Sequence, residues 1–405
     1  MNETFFILMI LTRFLAMTSA TLSNATNILH QVLLDGYNTD IRPCLDCPTP
    51  LYIGVSYHLT ALINMDELEG ELHSVGYLEV VWVDERLRWN PLVNGIGSVM
   101  FSPNKIWVPP LILGNPSREI SRLNADRVLA RVLYNGTVIW HPGDVFNTRC
   151  SYDIYRYPFD KQMCWIAFTP WSYQANEIRL YSAGDKVETP YYKEHGQWKL
   201  GSLSASDYIS NDVSFVQFDI WFTRRSGYFV VNIILPICLL AFLNCLAFVI
   251  PAESGERISY TVTMLLSFAV FMTLVSDNVP KTSAPMSLLC YFLLALFNGS
   301  VFIMICVMLN LRLFYRESST KMSSAYTLIY KMATCCKIRK TNVSKTRKNK
   351  IASIQKEIKG RQFGHEMEEP FAEASWQDVA GVFDKICFIL SLMYFISITV
   401  AILII

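Results

Sequence analysis

Hydrophobic positions along this chain follow two patterns, and the change comes at one point. Up to residue 224 they alternate with polar ones over short stretches. Clear cases are VGYLEVVWV (75–83), DRVLARVLYNGTVIW (126–140) and VSFVQFDIWF (213–222). Period-2 alternation rich in Val, Ile, Tyr and Trp, broken by Gly, Pro and Asn, predicts the half-buried strands of an antiparallel β-sandwich. Tyr134-Asn135-Gly136 carries the turn chemistry of a hairpin. After Arg224-Arg225 the apolar runs become continuous. Residues 228–250, 258–275, 286–309 and 383–405 are each long enough to cross a bilayer. Pro236 predicts a kink or local opening in the first run.

The second run is unusual. On a helix, Ser259, Thr263, Leu266, Val270, Thr273 or Leu274, and Asp277 recur at intervals of three and four and share one face. Ile258, Val262, Leu265, Phe268, Met272 and Val275 lie on the others. The stripe is hydroxylated near Glu256, aliphatic in the middle and acidic at both ends. Lipid penalises such a face, so several copies around a water-filled axis would hide it. Hydroxyls would then solvate an ion, Leu266 and Val270 would form a ring that gates by dewetting, and Glu256 and Asp277 would form acidic rings favouring cations. The competing reading is a bundle in which the hydroxyls bond backbone carbonyls.

Composition agrees with a mixed architecture. The 405 residues are 52% hydrophobic with mean hydropathy +0.28, which suits one soluble domain plus a few spans. A net charge of +1 argues against a polyanion such as nucleic acid as partner. Residues 1–20 read as a signal peptide, with a short apolar core over Phe5–Met17 and small residues after it. The predicted order is therefore a signal peptide (1–20), an extracellular β-sandwich (21–224), three spans (225–311, with the pore helix near 257–277), a basic intracellular loop ending in an amphipathic helix (312–380), and a fourth span (381–405). The basic loop falls on the inner side, as the positive-inside tendency expects. Secretion makes Asn24 and Asn135 glycosylation candidates; Asn298, in a span, and Asn342, in the basic loop, read as chance matches.

Of the 11 cysteines, Cys238, Cys245, Cys290, Cys306 and Cys387 lie in spans as small apolar packers. Cys335-Cys336 falls in the inner loop. Outside are Cys44, Cys47, Cys150 and Cys164. A bridge across CSYDIYRYPFDKQMC (150–164) would restrict the unfolded chain by about 3 kcal/mol in the chain-entropy model. It serves equally as a plain staple or as a rigid finger that transmits movement. Cys44 and Cys47 form a CxxC with no second ligand pair, which favours a local disulfide over a metal or redox site.

Several segments in fixed order carry a resemblance. They are the Cys150–Cys164 loop with YPFD, WVDERLRWNP (82–91), IWVPPLILGN (106–115), WSY (171–173), YFVVNIILP (228–236), ESGERI (253–258) and WQDVAGVFDKI (376–386). From residue 27 onward the chain resembles the Cys-loop pentameric ligand-gated ion channels, and within them nicotinic acetylcholine receptor-like subunits of invertebrate type. The resemblance implies a homo- or hetero-pentamer in a lipid bilayer, opened by a small-molecule agonist bound between subunits and passing permeant cations. It implies the Cys150–Cys164 disulfide. Gly255-Glu256-Arg257 matches the cation-selective pattern.

It also implies an aromatic box for agonist, built on Trp171 and Tyr173 from one face and Trp82 from the other. Tyr208 is the aromatic of the capping segment SLSASDYISND (202–212), and Arg131, Ile139 and His141 line the complementary strands. The match departs from the family twice: Gly114 replaces an aromatic wall, and no vicinal cysteine pair stands in 202–212. With Arg131 also repelling a cation, acetylcholine is not the expected agonist. Gating is assigned to Glu67, Arg224, the tip Tyr157-Pro158-Phe159-Asp160, and the linker that contains Pro280. An accessory subunit is the first alternative, and an adhesion or lectin receptor with a membrane anchor the second. No nucleophile–base pair, metal set or cofactor motif points to an enzyme.

Overall fold

The computed structural model describes residues 24–43, 50–120, 122–123, 128–276, 279, 285–317 and 375–404. The expected signal peptide, Cys44, Cys47, Asp277, Pro280 and most of the basic loop lie outside the described residues. Two compact units are present. One reaches to Ile154 and resumes over Pro158–Ser226; the other joins Tyr155–Tyr157 to the chain from Gly227 on.

The first unit is a β-sandwich of β1 (Leu51–Asp66), β2 (Glu71–Arg88), β3 (Ser98–Phe101), β4 (Leu111–Leu113), β5 (Ala130–Leu133), β6 (Asn135–Trp140), β7 (Gly143–Arg149), β8 (Lys161–Pro170), β9 (Ile178–Ser182), β10 (Trp198–Ser210) and β11 (Val213–Arg224). One sheet runs β3-β5-β6-β2-β1-β9, with β7 also on β2, and the other β10-β11-β8-β4. Among the described residues the antiparallel expectation holds for every strand pair but one: β9 runs parallel to β1, Leu51 beside Ile178. Between the sheets lie Tyr57, Trp82, Trp140, Phe146, Phe168 and Phe218, all fully buried. Tyr57, Phe146, Phe168 and Phe218 contact one another at ring distances of 5.4–6.2 Å. A helix over residues 24–34 buries Leu29 and Leu33, four apart, against this core and begins at exposed Asn24.

The hairpin expected at Tyr134-Asn135-Gly136 joins β5 to β6. Gly136 has φ +84°, and a Cβ there would stand 2.5 Å from the Asp84 carbonyl, so only glycine fits. Asn135 is exposed, and its side chain accepts from the Thr137 amide.

The second unit holds four helices long and apolar enough to cross a membrane: Gly227–Phe248, Arg257–Ser276, Leu288–Phe314 and Trp376–Ile402. The opening expected at Pro236 takes the form of a π-helical turn over Val230–Ile234, directly before the helix Leu235–Cys245. Ser287 caps the third span by accepting from the Leu289 amide. At the fourth, Ser375 and Asp378 bond reciprocally, backbone amide to side chain each way, so the expected amphipathic segment and the span are one helix.

Candidate functional site

In the sandwich, β8 leaves the loop that Cys150 and Cys164 close as a disulfide. Beside it, Arg224 at the end of β11 is buried between two acids. Its Nε lies 2.7 Å from Asp160 Oδ1, and its Nη2 lies 3.1 Å from Asp160 Oδ2 and 2.6 Å from Glu67 Oε1. Its guanidinium sits 4.2 Å over the Trp198 ring. Asp160, itself buried, also accepts from Gln162 Nε2. Burial opposes the charge, but Asp160 and then Glu67 outweigh it and raise the arginine pKa above its ordinary value. Tyr157, in the second unit, packs edge-on to Phe229 at 5.2 Å, while Pro158 is buried and Phe159 exposed.

On the candidate principal face, Trp171 is 53% exposed just after β8 and is fixed by its amide donating to the Pro110 carbonyl at 2.8 Å. Tyr173 is half-buried against the core. The capping segment is a β-hairpin, β10–β11, closed by Asn211 and Asp212 with φ +50° and +60°, the geometry of a two-residue type I′ turn. Tyr208 is therefore a strand residue. Its ring stacks on Phe215 of β11 at 5.3 Å and 9°. The same Phe215 ring lies 3.2 Å from where a Gly114 Cβ would be, so the wall that Gly114 vacates is occupied by Phe215.

On the other sheet, Trp82 does not line the outer face. It is 1% exposed, packed edge-on to Trp107 at 6.0 Å. Along β2, residues 72 to 82 alternate strictly, even positions buried and odd positions facing out. The outward aromatic is thus Tyr77, stacked on His58 at 4.5 Å and 2° and set 6.3 Å from His141. Glu79, next on that face, stands 3.5 Å from His141 Nε2 and 3.9 Å from His58 Nε2. Arg131, Ile139 and Val81 follow one another across β5, β6 and β2 on the same face. Arg131 is exposed and donates to Ser98 Oγ at 3.0 Å.

The second span packs Arg257, Thr261, Phe268 and Val275 inward. The predicted stripe points away: Glu256, Ser259, Thr263 and Thr273 are exposed, Leu266 by 63% and Val270 by 53%. Thr263, Ser267 and Thr273 donate to carbonyls one turn back in their own helix, so both readings of the hydroxyls have support. Each proton is satisfied locally while the oxygen keeps accepting capacity.

Comparison with known proteins decides the family. Residues 26–226 match the model of the neurotransmitter-gated ion-channel ligand binding domain, and residues 233–369 the neurotransmitter-gated ion-channel transmembrane region. The chain belongs to the neurotransmitter-gated ion-channel family. It is similar to the acetylcholine receptor subunits beta-type unc-29 and lev-1 of Caenorhabditis elegans, 31% identical to each over 310 and 294 residues. Those matches cover 73% and 71% of this chain and 61% and 57% of the relatives. The human neuronal acetylcholine receptor subunit alpha-3 is 28% identical over 311 residues, 74% of this chain and 61% of that one. The family is non-enzymatic, and this member is a multi-pass membrane protein with an extracellular N-terminal ligand-binding domain.

Within this neurotransmitter-gated channel chain, the sequence passed over Tyr77, His58 and Phe215. Tyr77 and Trp82 lie in one alternating strand, and parity alone does not tell which set faces the core. Phe215 had a cue: it stands opposite Tyr208 once the Asn211-Asp212 turn fixes the register.

Proposed function

We propose that the chain is a subunit of a cation-selective pentameric channel, opened by an extracellular small molecule other than acetylcholine at subunit interfaces. The observation that carries this is the composition of the second span's uncovered side, where Glu256, Ser259, Thr263 and Thr273 stand among Leu266, Val270 and the equally exposed Ile258, Val262 and Leu274. A face of hydroxyls, a Leu–Val girdle and an acid suits a water-filled axis and not lipid. The agonist would meet Trp171 and the Tyr208–Phe215 pair from one copy, and Tyr77, Ile139, His141 and Arg131 from its neighbour. An exposed guanidinium on that wall disfavours a quaternary ammonium, whose capture needs electron-rich rings and no like charge.

A second reading, an accessory subunit that conducts only in heteropentamers, is favoured by the Asn211-Asp212 turn, which carries no cysteine pair. Expression in oocytes separates the two. Current from this message alone, elicited by a panel of amines and amino acids, supports a homopentamer. Silence alone with current beside a nicotinic partner supports the accessory role. A current that reverses at the chloride potential overturns cation selectivity.

A further inference from the structure

The proposed inner acidic ring has an arginine beside it. Glu256 is exposed, and Arg257 follows it directly. Were both side chains to face the axis, each copy would bring one negative and one positive charge to the mouth, and the ring would not favour cations. The structure separates them. Arg257 is 1% exposed, turned into the helix bundle. Its Nε donates to the Ala247 carbonyl at 2.8 Å, and its Nη2 pairs with Asp384 Oδ1 at 2.5 Å. Asp384 belongs to the fourth span, and it also accepts from Asn310 Nδ2 of the third, itself fully buried. One carboxylate thus gathers the inner ends of the second, third and fourth spans, with the end of the first closing the group through Ala247.

We propose that Asp384 is a positioning residue for charge selectivity: it neutralises Arg257 and holds it off the axis, leaving Glu256 as the net charge at the inner mouth. This rests on reading Glu256 as a ring around a cation path. Asp384 lies on the fourth span, which carries no part of the proposed stripe. Its effect is exerted wholly through Arg257. A buried guanidinium that loses its carboxylate keeps only the Ala247 carbonyl and the Phe248 ring, 5.8 Å away, and reorientation toward water is then favoured. In the proposed pore, water lies on the side of exposed Glu256.

Two measurements on the full chain test this. Arginine modification by phenylglyoxal, read by peptide mass spectrometry on detergent-solubilised protein, should spare Arg257 in the parent. In Asp384→Asn it should modify Arg257 about fivefold faster or more, and Asp384→Glu should restore protection. This measurement needs neither surface delivery nor an open channel. Equal modification in parent and Asp384→Asn overturns the proposal. Second, reversal potentials in diluted NaCl are recorded on a Leu266→Thr background. Asp384→Asn should lower the sodium-to-chloride permeability ratio by about threefold or more, and Arg257→Gln added to it should return the ratio to the parent's. A merely structural loss would change current size and leave the ratio alone, and that result also overturns the proposal. Glu256→Gln is the separate arm: an unchanged ratio there refutes the ring, while protection of Arg257 still reports on Asp384.

Discussion

Arg224 Nη2 lies 2.6 Å from Glu67 Oε1, joining the end of β11 to the turn between β1 and β2. This is one of two acids on the same guanidinium, and the two are not equal. Asp160 takes two hydrogen bonds and is buried; Glu67 takes one and is partly exposed. Arg224→Ala therefore strands Asp160 in the interior, at a cost of about 3–5 kcal/mol. It should sharply reduce folded surface protein. Glu67→Ala leaves the Arg224–Asp160 pair intact, should cost about 1 kcal/mol, and should reach the surface while opening poorly. Surface biotinylation beside recorded current checks both. Equal surface levels for the two variants, with unaltered currents, would remove the couple from gating.

Leu266, exposed at the middle of the second span, tests the pore directly. A ring of leucines excludes water, and a ring of threonines admits it. Leu266→Thr should raise resting leak and reveal weak agonists, with surface expression unchanged. A surface-delivered variant with the parent's leak and conductance would strike Leu266 from the constriction.

The uncovered side of the second span is partly legible in the sequence because a 3.6-residue period assigns each position to a face without help from any partner. Ser259, Thr263, Leu266, Val270 and Thr273 are exposed, and so are Ile258 and Val262, which the period puts on other faces. The strands give less. Period 2 sorts β2 into two sets, Tyr77-Glu79-Val81 and Leu78-Val80-Trp82, but both carry large apolar residues, so only packing against the second sheet picks the buried one. Contacts between distant segments were less legible still. Nothing local to Arg257 points to Asp384, nor anything local to Gly114 to Phe215. The Glu67–Arg224 couple came through the family resemblance, not through any pattern in the residues.

The parity of β2 yields a paired prediction. Trp82→Ala removes a fully buried ring and should destabilise the sandwich by about 3–5 kcal/mol, lowering its melting point. Tyr77→Ala truncates a half-exposed ring and should leave melting nearly unchanged while shifting agonist concentration dependence. Thermal unfolding of the full chain in detergent, beside dose–response curves, checks the pair. If Tyr77→Ala melts as early as Trp82→Ala, the face assignment is reversed.

His58 gives the same face a dependence on pH. It lies beneath the Tyr77 ring, and its two ring nitrogens have no hydrogen-bond partner among the described residues. Burial pushes its pKa below the ordinary 6.5; Glu79 and Glu188 pull it up, and His141 pushes it further down. The folded state thus binds this proton less readily than the unfolded chain. For a depressed pKa, the stabilising contribution is complete above the unfolded value. It is lost as pH falls through that value and on through the folded one. Acidification from pH 7.5 towards 5 should therefore lower the melting temperature of the full chain. His58→Gln, which cannot take up the proton, should flatten that slope. Parallel slopes for the parent and His58→Gln would show that this imidazole is not the group that titrates.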